Sequence, residues 1–153
     1  MKYFPVGLDL NGRVCTVVGG GSIGTRKATA LLEAGAAVTV VSPDATEEVA
    51  RLAGEGRLHW RREAYQKSHL DGSLLAVAAT DVEGVNARVV QDARERGVLV
   101  CDASSASRSE VIFGALHRSG GVILAVFSDG RNPSLARRTR DRIAALSDEW
   151  KEE

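Results

Sequence analysis

The sequence predicts an α/β fold built on a doubly wound parallel sheet, followed by a C-terminal strand pair and a helix. Apolar runs typical of buried strands alternate with segments of helical apolar spacing up to about residue 102. A glycine-rich segment lies between the first strand and the first helix. Beyond residue 102 the alternation ends, and two strand-like runs follow that are joined by a short turn.

The composition limits the number of domains and the classes of partner that the protein can have. The chain has 153 residues, 44% of them hydrophobic, which suits one core rather than two independent domains. Its 20 basic and 20 acidic residues cancel, so no overall field favours nucleic acid or an anionic membrane. No apolar run approaches the roughly 18 residues of a membrane helix, and no signal-peptide core follows Met1. We therefore expect a cytoplasmic protein.

The glycine-rich segment, Val17 to Lys27, predicts a dinucleotide site of the Rossmann type. It joins a strand at Arg13 to Val18 to a helix at Ile23 to Ala34 that ends at Gly35. In such a loop the first glycine makes the tight turn, the second lets backbone amides approach a pyrophosphate, and the third lets the helix pack on the strand. The expected cofactor contacts here are Gly19, Gly21, Ser22, Ile23 and Gly24.

The second strand, Ala37 to Val41, carries the ribose end of the predicted site. It is expected to stop at Ser42-Pro43-Asp44, where proline interrupts the hydrogen-bond ladder. Ser42 holds the place where many such sites carry an acidic residue, and Asp44 lies about 20 residues after Gly24, so the ribose contact is open between these two residues, with Pro43 beside them. Because no arginine follows at once, a 2′-phosphate has no evident partner, and NAD is preferred over NADP.

The remaining strands of the predicted sheet are short. Leu58 to Arg61 is the third, Leu74 to Ala79 is a continuous apolar run typical of a strand buried on both faces, and Val98 to Cys101 is the fifth. The small residues Ala78, Ala79 and Thr80 end the central run where a cofactor would pass, so Ala79 and Thr80 are further predicted cofactor contacts.

A helix is expected after the fourth strand. Thr80-Asp81-Val82-Glu83 has the spacing of a capping box. The residues expected to face inward are Val85, Val89, Val90 and Ala93.

The C-terminal third predicts a strand pair and a final helix. Val111 to Ala115 and Val122 to Phe127 are strand-like runs separated by a turn at Arg118 to Gly121. Asn132-Pro133 supplies an N-cap and a proline at the first helical position. One helix face carries Leu135, Thr139, Ile143, Leu146 and Trp150. A partner subunit is a good candidate to bury that face.

Cysteine and histidine do not indicate a metal centre. Cys15 and Cys101 lie alone on predicted strands, without CxxC spacing, and are interpreted as core thiols. The three histidines, His59, His69 and His117, have no ligand spacing. No metal ligand is therefore assigned.

Five ordered blocks resemble one family, the precorrin-2 dehydrogenases and the N-terminal module of siroheme synthase. The blocks are Phe4-Pro5 with Leu8 and Leu10, Val17 to Lys27, Gly35 to Pro43, Ala78 to Asp81 with Val85-Asn86, and Ser128 to Gly130 with Pro133 to Arg137. The resemblance covers nearly the whole chain. It implies NAD-dependent oxidation of precorrin-2 to sirohydrochlorin, in some members followed by insertion of ferrous iron or cobalt. It also implies a homodimer formed through the C-terminal segment.

The resemblance assigns an NAD-binding domain to residues 1–113 and a dimerisation segment to residues 114–153. Members usually continue with a small helical domain, whereas this sequence stops at Glu153, either as a piece of a longer chain or as a naturally short form. Members place a catalytic aspartate after the fifth strand, and an ungapped count from Val111 puts Ser104 there. Either a loop shift lets Asp102 serve, or the usual carboxylate is missing. Asp102 and Ser104 are thus the candidate catalytic residues.

Substrate contacts are expected in the C-terminal third. Ser128 matches a serine at the edge of the family's tetrapyrrole site, and arginines suit a substrate that carries many carboxylates. The candidate substrate-binding residues are Ser128, Arg131 and Arg137, within a wider set that also includes Arg108, Arg118, Arg138 and Arg140. A solvated helix face is the alternative interpretation of these arginines.

Two other functions compete with the dehydrogenase. A non-catalytic NAD-binding regulatory module is consistent with a serine at position 104, although such modules usually carry an acidic residue where Ser42-Pro43 stands. A chelatase without dehydrogenase activity is the third possibility, and it would insert metal without NAD.

Overall fold

The computed structural model describes residues 2–130 and 132–146. Five strands form a parallel sheet in the order β3-β2-β1-β4-β5. Their bounds are β1 Val14–Gly20, β2 Ala37–Ala45, β3 His59–Arg61, β4 Leu75–Ala78 and β5 Leu99–Asp102. The order reverses between β1 and β4, which is the topological switch point where open α/β sheets bind ligands. The predicted fold class is confirmed.

Three helices connect these strands: α1 Ser22–Glu33, α2 Glu47–Gly54 and α3 Glu83–Glu95. A short 3₁₀ turn at Lys67–Leu70 leads into β4. Gly35 follows α1 with φ +80°, the left-handed conformation that glycine adopts at helix ends, as expected. Helix α2 was not predicted, because eight residues are too few for an apolar period to stand out. Its N-cap is Thr46, whose Oγ1 accepts a hydrogen bond from the Val49 N–H.

The core lies on both faces of the central strands. Every residue of β4 is buried, as are Cys15 to Gly20 of β1. On one face, α3 contributes Val89, Val90 and Ala93, which pack with Leu70 of the 3₁₀ turn. The predicted inward face of this helix is therefore confirmed. Cys15 and Cys101 are both free and buried, and burial raises the pKa of each thiol.

Proline does not stop β2, contrary to the prediction. The strand continues through Pro43 to Ala45, and the register moves from Val18 opposite Val41 to Gly20 opposite Ala45. Three residues of β2, 42–44, therefore lie opposite the single Gly19 of β1. In this bulge Pro43 needs no ladder partner for its missing N–H, so the strand tolerates it.

The predicted capping box at Thr80 to Glu83 is also wrong. Helix α3 begins at Glu83 with Val82 as its N-cap, and the Val82 side chain makes no capping hydrogen bond. Thr80 instead bonds to Asn86, the fourth residue of the helix: the Thr80 N–H and hydroxyl donate to Asn86 Oδ1, and Asn86 Nδ2 donates to the Thr80 carbonyl. These bonds hold Thr80 in the loop before the helix, so the helix starts later than the motif indicates.

The chain divides into two compact units. Val6–Val111 contains the parallel sheet and is called the sheet unit; Met1–Pro5 together with Ile112–Glu153 is called the hairpin unit. The hairpin unit holds the antiparallel strands β6 Ala115–Ser119 and β7 Val122–Val126 and the helix α4 Pro133–Ala144. Both α4 and the strand pair were predicted.

The first strand of the pair is displaced from its predicted position at Val111 to Ala115. Gly120 and Gly121 have φ +53° and +77°, as a two-residue type I′ hairpin turn requires. That turn pairs Ser119 with Val122, and the register then runs back to Ala115 opposite Val126. Val111 belongs to the sheet unit, where its N–H donates to the Val100 carbonyl.

Helix α4 begins as predicted. Asn132 is its N-cap, with Oδ1 accepting from the Leu135 N–H at 2.9 Å, and Pro133 holds the first turn. The apolar residues Leu135, Ile143 and Leu146 are exposed, and Trp150 lies outside the described residues. Among the described helices, none is both long and apolar enough to span a membrane.

Candidate functional site

The glycine loop closes onto the end of β4. Gly19 has φ +114°, and a Cβ at this position would overlap the Ala79 carbonyl. A Cβ on Gly24 would overlap the Gly19 carbonyl oxygen. Glycine is therefore required at both positions by the packing of the chain on itself, which for Gly24 is the predicted contact of helix and strand.

Gly21 is different, because no atom lies within 4 Å of a Cβ built there. Its φ is −73°, which any residue adopts, so internal packing does not explain this glycine. It is the N-cap of α1, and the first turn of that helix carries no acidic side chain. The free N–H groups of the first turn and the open space beside Gly21 form an arrangement that suits a phosphate group.

An open cleft of about 620 Å³ lies along the carboxyl ends of β1, β2 and β4. It brings together nine predicted cofactor contacts: Gly19, Gly21, Ser22, Ile23, Ser42, Pro43, Asp44, Ala79 and Thr80. Gly24 is not part of the lining, since it packs under the loop against Gly19. We call this space the cleft.

Trp60 of β3 supports the ribose end of the cleft. Its Nε1 donates to the Ser42 carbonyl at 3.0 Å, and the Arg62 guanidinium stacks 4.0 Å from its ring centroid. Ser42 is half-buried and Asp44 is exposed, and both line the cleft. Sequence reasoning missed Trp60, because its contact spans 18 residues and follows from the pairing of β3 with β2.

Thr80, another residue of the cleft lining, is held by Asn86 of α3. The Thr80 N–H donates to Asn86 Oδ1 at 3.0 Å, and Asn86 Nδ2 donates to the Thr80 carbonyl at 2.9 Å. Asn86 Nδ2 also lies 3.4 Å from Ser104 Oγ, in the loop after β5. The sequence alone assigns no role to Asn86, although Val85-Asn86 belongs to one of the blocks that carry the family resemblance.

The two catalytic candidates contact each other. Ser104 Oγ donates to Asp102 Oδ1 at 2.6 Å, and the Ser104 N–H donates to the same oxygen at 2.9 Å. The second oxygen, Oδ2, accepts from Arg108 Nε at 2.6 Å. The Asp102 side chain has no exposed surface, whereas Ser104 is exposed.

Burial raises the pKa of Asp102, but the hydrogen bonds from Ser104 and Arg108 outweigh it, and the net pKa lies below the ordinary value. The carboxylate is therefore ionised at neutral pH. Arg108 also contacts Glu83 and Ser104 Oγ, so three groups of the protein occupy this guanidinium.

Tyr65 is a titratable residue of the cleft lining, as are Asp44 and Asp81, whereas Asp102 and Ser104 are not part of that lining. Its hydroxyl donates to Asp92 Oδ2 at 3.0 Å. Burial, with the Asp92 carboxylate beside it, raises the pKa of Tyr65 above the ordinary range. Tyr65 therefore stays protonated at neutral pH.

The predicted substrate contacts belong to the hairpin unit. Ser128 Oγ accepts from the Asn132 N–H at 3.1 Å, and Asp129, with φ +55°, accepts from the Lys2 N–H. Arg137 is exposed on α4, and Arg131 lies outside the described residues. Within residues 2–130 and 132–146, no three His, Cys, Asp or Glu side chains are grouped as metal ligands.

NAD fits the cleft on structural grounds. The open Gly21 position and the α1 N-terminus would receive its pyrophosphate, and Ser42 or Asp44 would bind a ribose hydroxyl. A family model described as "Putative NAD(P)-binding" matches residues 6–115, which supports this assignment.

Curated relatives point to the same family. A siroheme synthase of Photobacterium profundum is 40% identical over 146 residues, which cover 95% of this chain and 31% of that protein. A siroheme synthase of Chromobacterium violaceum is 42% identical, with the same coverage of each chain. This chain thus spans about a third of the length of these relatives.

Among solved structures, "SirC, precorrin-2 dehydrogenase" superposes with a TM-score of 0.81. The two chains are 32% identical, and the match covers 94% of this chain and 71% of the other. The sheet order, the glycine loop and these three relatives agree. The chain belongs to the NAD(P)-binding family of the precorrin-2 dehydrogenases and of the corresponding module of siroheme synthases.

Proposed function

We propose that this protein oxidises precorrin-2 to sirohydrochlorin with NAD. The observation that carries the proposal is the position of the Asp102–Ser104 pair: Ser104 is tied through Asn86 to Thr80 on the lining of the cleft. A proton acceptor beside a dinucleotide site is what a dehydrogenation requires, since the substrate loses a hydride and a proton. NAD, when bound, supplies the hydride acceptor.

We assign contact with the substrate to Ser104. Ser104 is an exposed residue, whereas the Asp102 side chain has no exposed surface. We assign the proton transfer accordingly: Ser104 Oγ accepts the ring proton and passes its own hydrogen to Asp102 Oδ1, 2.6 Å away. Asp102 thus acts through Ser104, and Arg108 keeps Asp102 ionised before the transfer.

The test is anaerobic turnover of precorrin-2 with NAD, followed by the absorbance of sirohydrochlorin and of NADH. Wild type is expected to form both products in equal amounts. Ser104→Ala and Asp102→Asn are expected to lower kcat by about 10²-fold or more, because they remove a positioned proton acceptor. Absence of product with the wild type would refute the dehydrogenase and leave a module that binds NAD without turnover.

We further propose a homodimer formed through the hairpin unit. Val122 and Ile123 of β7 are exposed, and Ile123 has 62% of its surface accessible. Leu135 and Ile143 of α4 are exposed in the same unit. Sedimentation of Ile123→Asp should show a monomer if this face is the interface, whereas Val6→Asp, which alters an exposed residue of the sheet unit, should leave the dimer intact.

Substrate binding by Ser128, Arg131 and Arg137 and a cytoplasmic location complete the proposal. Arg137 is exposed and suits a substrate carboxylate, while the Ser128 hydroxyl also bonds within its own turn. The free thiols of Cys15 and Cys101 suit a reducing compartment. Arg137→Ala is expected to raise the KM for precorrin-2 and leave the KM for NAD unchanged. Insertion of ferrous iron or cobalt is a separate activity, measured with sirohydrochlorin in the absence of NAD.

A further inference from the structure

Asn86 is a buried polar side chain that the proposed reaction does not yet use. Only 1% of its surface is accessible, although it lies in the second turn of α3, near the cleft. A buried amide is costly unless its hydrogen bonds are made, so its partners define its role. Those partners are the backbone and side chain of Thr80 and the hydroxyl of Ser104.

The orientation of the Asn86 amide is fixed by Thr80. A backbone N–H can only donate and a carbonyl can only accept, so Oδ1 faces the Thr80 N–H at 3.0 Å and Nδ2 faces the Thr80 carbonyl at 2.9 Å. Both backbone groups of Thr80 are thereby held by one side chain. The remaining hydrogen of Nδ2 is directed at Ser104 Oγ, 3.4 Å away.

This bond affects how the Ser104 hydroxyl is used. Because Ser104 Oγ accepts from Asn86 Nδ2 and from Arg108 Nη2, its own hydrogen is left for Asp102 Oδ1. These two donors fill both lone pairs of the hydroxyl oxygen, so the incoming ring proton displaces the bond from Arg108 Nη2, 3.3 Å away. The proton path assigned above needs that orientation. Helix α3 is anchored by Val89 and Val90 in the core, so Asn86 is a rigid point between the two loops.

We propose that Asn86 is a positioning residue that couples the cofactor loop at Thr80 to the proton-accepting Ser104. The inference rests on the proposed dehydrogenase function for its catalytic part. Binding of NAD against Thr80 fixes that loop, and through Asn86 the same event fixes the Ser104 hydroxyl toward Asp102. Cofactor binding and readiness of the proton acceptor are thus linked by one amide.

Asn86→Asp isolates the donor half of this amide. Aspartate has nearly the same size and keeps an oxygen for the Thr80 N–H, but at neutral pH it cannot donate to the Thr80 carbonyl or to Ser104. We expect NAD affinity and kcat each to fall about tenfold, the factor that loss of one buried hydrogen bond produces. Asn11→Asp, the same change at an exposed residue before β1, is the control and should leave both unchanged.

A double-mutant cycle with Ser104→Ala separates coupling from a merely structural role. If Asn86 acts on the chemistry through Ser104, Asn86→Asp should lower kcat by less than about twofold in the Ser104→Ala background. Its effect on NAD affinity, measured by calorimetry, should persist there. Equal losses of kcat in both backgrounds would overturn the coupling, as would wild-type kcat and affinity in Asn86→Asp.

Hydrogen exchange tests the same link without precorrin-2. In the wild type, saturating NAD should slow amide exchange in the peptide covering residues 103–109, and Asn86→Asp should abolish that protection. Ser104→Ala, which leaves the buried amide in place, should abolish it as well, so the test survives if Asn86→Asp fails to fold. NAD-induced protection that persists in Ser104→Ala refutes the coupling, whereas protection without turnover refutes only the dehydrogenase.

Discussion

Ser104 Oγ and Asp102 Oδ1 lie 2.6 Å apart, and this contact places a hydroxyl between solvent and a carboxylate that has no exposed surface. Arg108 neutralises that carboxylate from the other side. The pair thus combines an exposed residue, Ser104, with a buried carboxylate behind it.

The stability of the protein should depend on pH through Asp102. Its folded pKa lies below the ordinary 3.8, so ionised Asp102 favours the native state above that value. As pH falls from about 5 through the ordinary and then the folded pKa, this contribution is lost, because the unfolded chain binds the proton more tightly. Urea unfolding from pH 7 to pH 3 should therefore show a steeper loss for wild type than for Asp102→Asn. Parallel curves would contradict the assignment.

Substitutions at two glycines of the loop should have different effects, one on folding stability and the other on cofactor binding. Gly24→Ala would push a methyl group into the Gly19 carbonyl and should cost at least about 2 kcal/mol of unfolding free energy, as overpacking does. Gly21→Ala meets no protein atom, so thermal unfolding should stay near that of wild type while NAD affinity falls at least about tenfold. Calorimetric titration measures the NAD affinity of each variant, and a melting curve measures its thermal stability. If Gly21→Ala binds NAD with the affinity of wild type, the pyrophosphate does not bind beside Gly21.

Trp60→Phe should weaken the ribose end of the cleft. The change removes the hydrogen bond to the Ser42 carbonyl and the larger ring under Arg62. We expect a stability loss of about 1 kcal/mol and an NAD affinity lower by roughly twofold to fivefold. The matched control is Arg62→Gln, which keeps the indole bond, and its NAD affinity should equal that of wild type. An equal loss in both variants would assign the effect to the stacked cation instead.

Leu70→Ala should be the most destabilising of these changes. Leu70 is 0% exposed and packs against Val89 and Val90 of α3, so truncation leaves a cavity in the core. Loss of a buried leucine costs about 2–5 kcal/mol, and chemical denaturation should fall in that range. Val6→Ala, at a residue that is 69% exposed, should change stability by less than about 0.5 kcal/mol. If Leu70→Ala behaves like Val6→Ala, the 3₁₀ turn does not contribute to the core.

Local sequence patterns predict the features that depend on neighbouring residues. The glycine loop between strand and helix, the Asn132-Pro133 start of α4 and the inward face of α3 each follow from local sterics or from one period of apolar residues. Nine of the predicted cofactor contacts line one cleft because a parallel sheet brings the ends of its strands to a common edge.

The remaining features depend on contacts between residues that are distant in sequence. The bulge that carries Pro43 and the late start of α3 at Glu83 depend on partners in other elements or in a later turn, namely Gly19 and Asn86. The contacts of Asn86 with Ser104 and of Trp60 with Ser42 each span 18 residues. A buried polar group must find its hydrogen-bond partner wherever the folded chain supplies one, and sequence spacing does not reveal that place.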